Sequence, residues 1–147
     1  MNDIESRLTE KGCRYEIIHH ERNIRTAPEG AEFLGIEIGQ TAPTLIIIAD
    51  GKYYSLIFSG DREQVDFEKI ARVLGCKRAE LANRKEVKNI TGSQVGSISM
   101  LVELPCILDR MLFRHPFVYG GTGKPKTTLK ISPTDLARVN RVAAFFE

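Results

Sequence analysis

No apolar run in the sequence exceeds about six residues, far short of the ~20 that a membrane-spanning helix needs. The opening residues, MNDIESRL, are charged and amphipathic, so no secretory leader is expected there. Cysteine is scarce. Cys13, Cys76 and Cys106 are far apart and odd in number, and no pair has metal-ligand or redox spacing. Three reduced, mostly buried thiols are the expectation, with no metal site and no cofactor. These absences together suggest a cytoplasmic protein. Charge of one sign is also scarce: the formal net charge is +2. That balance does not announce nucleic-acid binding, and it leaves room only for a local basic face. Tryptophan is absent, and the rest is ordinary for a globular chain, 42% hydrophobic and 27% charged. A length of 147 residues suggests one domain, residues 1–147, able to bury its own core. There is no internal repeat, linker or low-complexity segment.

What is present is a clear series of elements. A short helix is expected from Asp3 to Lys11, capped by Asn2 or Asp3, followed by a strand in CRYEII. Thr26-Ala27-Pro28-Glu29 reads as a capping box opening a second helix that stops at Gly35. TLIIIA and YYSLIF flank the turn pair Asp50-Gly51, and the continuous apolar run from Leu45 to Ala49 predicts a strand covered on both faces. Asp66 caps FEKIARVLG, and a further helix is expected at about Arg78 to Val87. Strand character returns in LPCILD, FVYGG and TTLKI. Ser132-Pro133-Thr134-Asp135 then opens a last helix, and VAAFF ends the chain as a strand or as more helix. Strands and helices do not alternate regularly. The fold class is therefore α/β of the mixed α+β kind, a mixed sheet curled towards a barrel with flanking helices.

Several motifs invite a chemical reading, and each has a structural alternative. The glycine loop lacks the Gly-Lys-Ser/Thr ending of a phosphate-binding P-loop, and no Ser-His-Asp arrangement is visible from spacing. His19 and His20 are adjacent at a strand end, so their side chains point to opposite faces and do not share a metal. One partly buried and one exposed histidine is the favoured reading. Thr91 to Ser99, TGSQVGSIS, has two glycines four apart among small hydroxyl residues. It is either a flexible turn or a loop whose amides point into one cavity and bind a carbonyl or anionic oxygen. Tyr119 to Gly123, followed by Lys124, Lys126 and Lys130, is either a hairpin turn with a solvated edge or a backbone ligand site with lysines beside it for phosphates. Asp109, at the end of LPCIL, is a solvent-facing carboxylate or a buried one that orients a loop.

Taken in order, these motifs resemble the YbaK/prolyl-tRNA synthetase-associated domain family of aminoacyl-tRNA editing domains. The likeness runs from about Thr26 to Val139. It rests on the capped TA-x-x-x-A helix, the TL hairpin with its Asp-Gly turn, and the helix ending in Leu-Gly. It continues through TG-x-x-x-G-x-x-S, the strand ending in Asp, the glycine turn and ISPTDL. The resemblance implies a single domain with a barrel-like sheet. It implies hydrolysis, in trans, of the ester joining a wrong amino acid to the 3′ end of tRNA. The expected partners are mischarged tRNA and an aminoacyl-tRNA synthetase, with no membrane and no metal.

On that resemblance, Gly92, Ser93, Gly96 and Ser97 polarise the ester carbonyl through backbone amides, and Asp109 orients the site. Pro43, Thr44, Ser99, Gly121 and Thr122 shape the substrate pocket, while Arg25, Lys124 and Lys126 contact tRNA. The chain departs from the family at one position. Where the family has a lysine before Thr-Leu, this sequence has Pro43, which supplies neither charge nor a donor. Three accounts follow: backbone amides and the substrate's own groups do the work, Lys124 or Arg25 replaces the missing charge, or the pocket binds without hydrolysing. A small aminoacyl ester without tRNA is a further substrate class that the weak net charge leaves open.

Overall fold

Capping residues set where the helices begin, and strand pairing sets almost everything else. The computed structural model describes residues 2–22, 24, 26–92 and 98–147, with side chains from residue 4 onward. The expected capping by Asn2 or Asp3 lies outside the described side chains. The elements in chain order are α1 (Asn2–Glu10), β1 (Tyr15–His19), α2 (Ala27–Leu34), a 3-10 turn (Ile38–Gln40), β2 (Thr44–Ala49) and β3 (Lys52–Ile57). They continue with α3 (Phe67–Leu74), β4 (Ala79–Leu81), α4 (Arg84–Thr91), β5 (Pro105–Asp109) and a second 3-10 turn (Arg110–Arg114). The chain closes with β6 (Val118–Gly120), β7 (Thr127–Ile131), α5 (Pro133–Val139) and β8 (Arg141–Phe146).

The side chain of Thr26 accepts from the Glu29 amide at the head of α2, Asp66 accepts from Glu68 and Lys69 at α3, and Ser132 accepts from Asp135 at α5. Each satisfies an amide that has no partner within its own helix. Gly35 and Gly75 end α2 and α3 in the left-handed conformation. The helix expected near residues 78–87 is corrected to a strand followed by a helix. Asp50 accepts from the amides of Lys77 and Arg78, and Ala79 to Leu81 pair with β2. Helix α4 then starts at a stronger signal, Asn83, whose side chain and that of Glu86 cap each other's amides. The terminal VAAFF resolves as β8, which pairs in parallel with β5.

The strands form two sheets. The five-stranded sheet has the order β4-β2-β3-β5-β8, antiparallel on the β4-β2-β3 side and parallel across β3-β5-β8. The three-stranded sheet, β1-β7-β6, is antiparallel throughout. A parallel bridge between Thr41 and Tyr119 joins the sheets, reinforced by the Ala42 amide donating to the Tyr119 carbonyl at 2.8 Å. The barrel-like sheet read from the sequence is therefore two sheets sewn along one seam.

Strand β2 is covered on both faces, as its unbroken apolar run predicts. Side chains alternate sides along a strand, and Ile46 and Ile47 are both fully buried. Ile47 packs with Ile70 of α3, whereas Ile46 packs with Val87 of α4 and with Ile98. The largest cluster unites α1, α5 and the inner face of the small sheet through Leu8, Leu129, Ile131 and Leu136. All this packing holds the residues just before β2 firmly against β6.

Candidate functional site

A cavity of about 490 Å³ opens beside the seam, within the size range of small-molecule sites. One wall is the inward face of α2, with Ala27, Gly30 and Leu34. The floor is the strand entry from Thr41 to Leu45, and Tyr119 to Gly121 form the opposite side. The rim is the turn from Lys124 to Thr128, with His20 at the end of β1.

Close backbone approach makes this geometry possible. A Cβ on Gly121 would lie 2.3 Å from the Ile98 carbonyl oxygen, and one on Gly120 would lie 2.4 Å from Met100 Sδ and 2.7 Å from the Ala42 oxygen. Only glycine permits those contacts. The Gly121 carbonyl in turn accepts from the Met100 amide at 3.0 Å. Glycines 120 and 121 thus hold the segment entering at Ile98 against the strand entry at Ala42.

The cavity's electrostatic character is one-sided. Its described lining contains His20, Lys124 and Lys126, and no aspartate or glutamate. Among the described residues, none of the ion pairs involves either lysine, so both ammonium groups are available to an anion. The lining is also rich in hydroxyls. Thr41 donates to the Ile38 carbonyl at 2.7 Å, and Thr127 Oγ1 shares a hydrogen bond with Thr122 Oγ1 at 2.5 Å. Thr44 Oγ1 differs from these: it is shielded from solvent and has no hydrogen-bond partner among the described residues. A buried hydroxyl left unpaired costs about 1–3 kcal/mol.

The residues singled out from sequence divide into three groups. Pro43, Thr44, Gly121, Lys124 and Lys126 line the cavity. Gly92, Ser99, Thr122 and Asp109 are not among its lining residues. Gly92 ends α4 in the left-handed conformation, Ser99 Oγ accepts from the Leu101 amide at 3.0 Å, and Thr122 braces the turn through Thr127 and the Lys124 amide. Arg25, Ser93, Gly96 and Ser97 lie outside the described residues.

Asp109 is fully buried beneath the five-stranded sheet's end. Its carboxylate accepts from both the Nε and NH2 of Arg62, at 2.6 and 2.9 Å, and from the amides of Ser59 and Met111, each at 2.9 Å. Of its two readings from sequence, the buried one that holds loops is what the geometry shows. The same hydrogen bond pushes the Arg62 guanidinium pKa up. Asp109 therefore ties the loop after β3 to the end of β5, and its acceptor capacity is spent doing so.

His20 lines the cavity, although from sequence it is read only as one of an adjacent histidine pair. The histidine pair does divide into an exposed His19 and a half-buried His20, but the half-buried ring faces the cavity. Among the described residues, no group of three or more His, Cys, Asp or Glu side chains is placed to hold a metal. Burial pushes the Cys106 thiol up to about 11, so it stays protonated and unreactive at neutral pH.

Comparison with known proteins places this architecture. The aminoacyl-tRNA editing domain profile matches residues 21–139, and the chain belongs to that family. Proline–tRNA ligase of Caldicellulosiruptor saccharolyticus is 39% identical over 74 residues, 50% of this chain and 13% of the ligase. Proline–tRNA ligase of Staphylococcus aureus is 32% identical over 81 residues, 55% of this chain and 14% of the ligase. The chain thus spans only about an eighth of the curated relatives it matches. A solved structure of a hypothetical protein superposes with a TM-score of 0.87 at 26% identity, over 97% of this chain and 96% of that one. A crystal structure described as a candidate trans-editing enzyme for prolyl tRNA synthetase shares the fold, with a TM-score of 0.85 at 24% identity over 97% of this chain and 92% of that one.

Proposed function

We propose that the chain is an aminoacyl-tRNA deacylase that hydrolyses the ester of mischarged tRNA in trans, with the seam cavity receiving the aminoacylated 3′ end. The observation that carries this reading is the cavity's lining: hydroxyls and basic side chains, with no acidic group among the described residues. A terminal nucleotide carries phosphate, ribose hydroxyls and an ester carbonyl, and this surface offers a partner to each. Membership of the editing-domain family supplies the substrate class. Action in trans is supported by the description of a solved structure that shares this fold.

Pro43 removes the family lysine, and Lys124 and Lys126 occupy the same cavity from the opposite rim. They are the charges available to grip the terminal phosphates. An aminoacyl ester is activated already, so carbonyl polarisation and a placed water are the main requirements. Incubation of the purified protein with a panel of mischarged tRNAs tests the proposal. Release of amino acid from at least one of them above the spontaneous rate is expected. No release from any contradicts it.

A second reading rests on the same Pro43. Without the lysine, the cavity would hold a tRNA end, or dock beside a synthetase, and catalyse nothing. That reading predicts saturable binding of charged and uncharged tRNA alike, with no turnover.

A further inference from the structure

We propose that His20 and Thr128 form a proton relay that activates the hydrolytic water, a role that rests on the deacylase reading. His20 Nδ1 lies 2.6 Å from the Arg22 carbonyl oxygen. A carbonyl only accepts, so Nδ1 carries the proton. In the neutral ring Nε2 is then the acceptor, and Thr128 Oγ1, 3.1 Å away, donates to it. An imidazole with its tautomer set by one group and its free nitrogen on a hydroxyl has the layout of a base, its orienter and its proton donor.

The ring is held from several sides. The His20 amide donates to the Lys126 carbonyl at 3.0 Å, and Lys126 itself sits at φ 62°, a conformation that non-glycine residues seldom adopt. The Phe33 ring of α2 meets the imidazole edge to face, with centroids 5.4 Å apart. Strand pairing sets Ile18 opposite Thr128, which brings the residue two beyond Ile18 back over the hydroxyl. Both His20 and Thr128 line the cavity. Thr128 is buried, at 7% exposure, on the cavity wall.

With its proton committed to Nε2, Thr128 Oγ1 keeps lone pairs for a water in the cavity. The relay runs in one concerted step, so no free alkoxide forms. Water gives a proton to Thr128 Oγ1 while the threonine's own proton passes to His20 Nε2. The water oxygen bonds to the ester carbonyl carbon. Collapse of the tetrahedral species breaks the bond to the ribose oxygen, and the proton on Nε2 returns through Thr128 to that oxygen. Free amino acid and tRNA are the products, and water is the sole co-reactant.

The alternative is a strut that merely ties the end of β1 to β7. His20→Gln separates the two, because the amide can keep hydrogen bonds to Arg22 and Thr128 but does not take a proton. On a tRNA that the wild type clears, kcat of H20Q is expected to fall by about 10²-fold or more, with KM and melting temperature held. In His20→Ala, added imidazole should restore part of the rate. Thr128→Ser, which keeps the hydroxyl, should retain more activity than Thr128→Val. Wild-type kcat in H20Q overturns the relay alone. A wild type that clears no tRNA overturns the relay together with the deacylase reading.

Discussion

At the scale of single residues, Thr44 carries a buried hydroxyl at the edge of the cavity. Thr44 Oγ1 is shielded and unpaired among the described residues, in a lining where the other threonines are satisfied. Thr44→Val keeps the shape and removes the unmet group. The variant should melt no lower than the wild type, because no hydrogen bond is lost and a buried unmet polar group is removed. A thermal melt checks this; a clear drop in melting temperature would mean that the hydroxyl has a partner. Pro43 and Thr44, which the family resemblance marks as pocket residues, do line the cavity. His20 was not so marked. A histidine at a strand end gives no sign of the distant strand that will pair beside it, and here that strand comes more than a hundred residues later, at Thr128.

At the scale of elements, local signals located most helices correctly and failed where pairing overrode them. Thr26, Asp66 and Ser132 all cap the helices expected of them. The stretch near Arg78 looked helical from its own residues, yet the unpaired edge of β2 draws Ala79 to Leu81 into the sheet. Asp109 shows the same limit from another side. Its place after an apolar strand is readable, but its bond to Arg62 depends on a loop 47 residues earlier. The glycine turn after β6 is where element packing and site shape meet, because residues 120 and 121 admit Met100 and the Ile98 backbone at close range. Gly120→Ala forces that packing apart. A loss of about 1–3 kcal/mol in unfolding free energy is expected, measured by denaturant titration. An undiminished stability would mean that the seam yields more easily than its close approach implies. The head of α4 supplies a pH dependence. The Tyr53 hydroxyl and the Asn83 amide hold the Glu86 carboxyl below its ordinary range. Their contribution is present above the ordinary carboxylate pKa and is lost as pH falls through the lowered one. Tyr53→Phe should flatten the acid limb of a stability curve.

At the scale of the whole molecule, the seam between two sheets creates the cavity, and the chain's weak net charge of +2 conceals where its cations stand. Lys124 and Lys126 face the cavity from one turn, and the glycine turn before them made that placement readable in the sequence. If they hold terminal phosphates, Lys124→Ala combined with Lys126→Ala should weaken tRNA binding. It should also lower the slope of log affinity against log salt by about one for each phosphate no longer neutralised. An unaltered slope would put the phosphates elsewhere. The fold was therefore readable nearly throughout, whereas the cavity lining was readable only where its residues sit inside contiguous motifs. Ester hydrolysis in this cavity is the step on which the proposed function depends. It is tested most directly by amino-acid release from the mischarged tRNA panel, measured for the wild type and for Leu34→Trp, which fills the cavity from the inward face of α2. Release by the wild type, and none above background by a Leu34→Trp protein that is still folded, is the expected result; equal release by both proteins would rule out hydrolysis in this cavity.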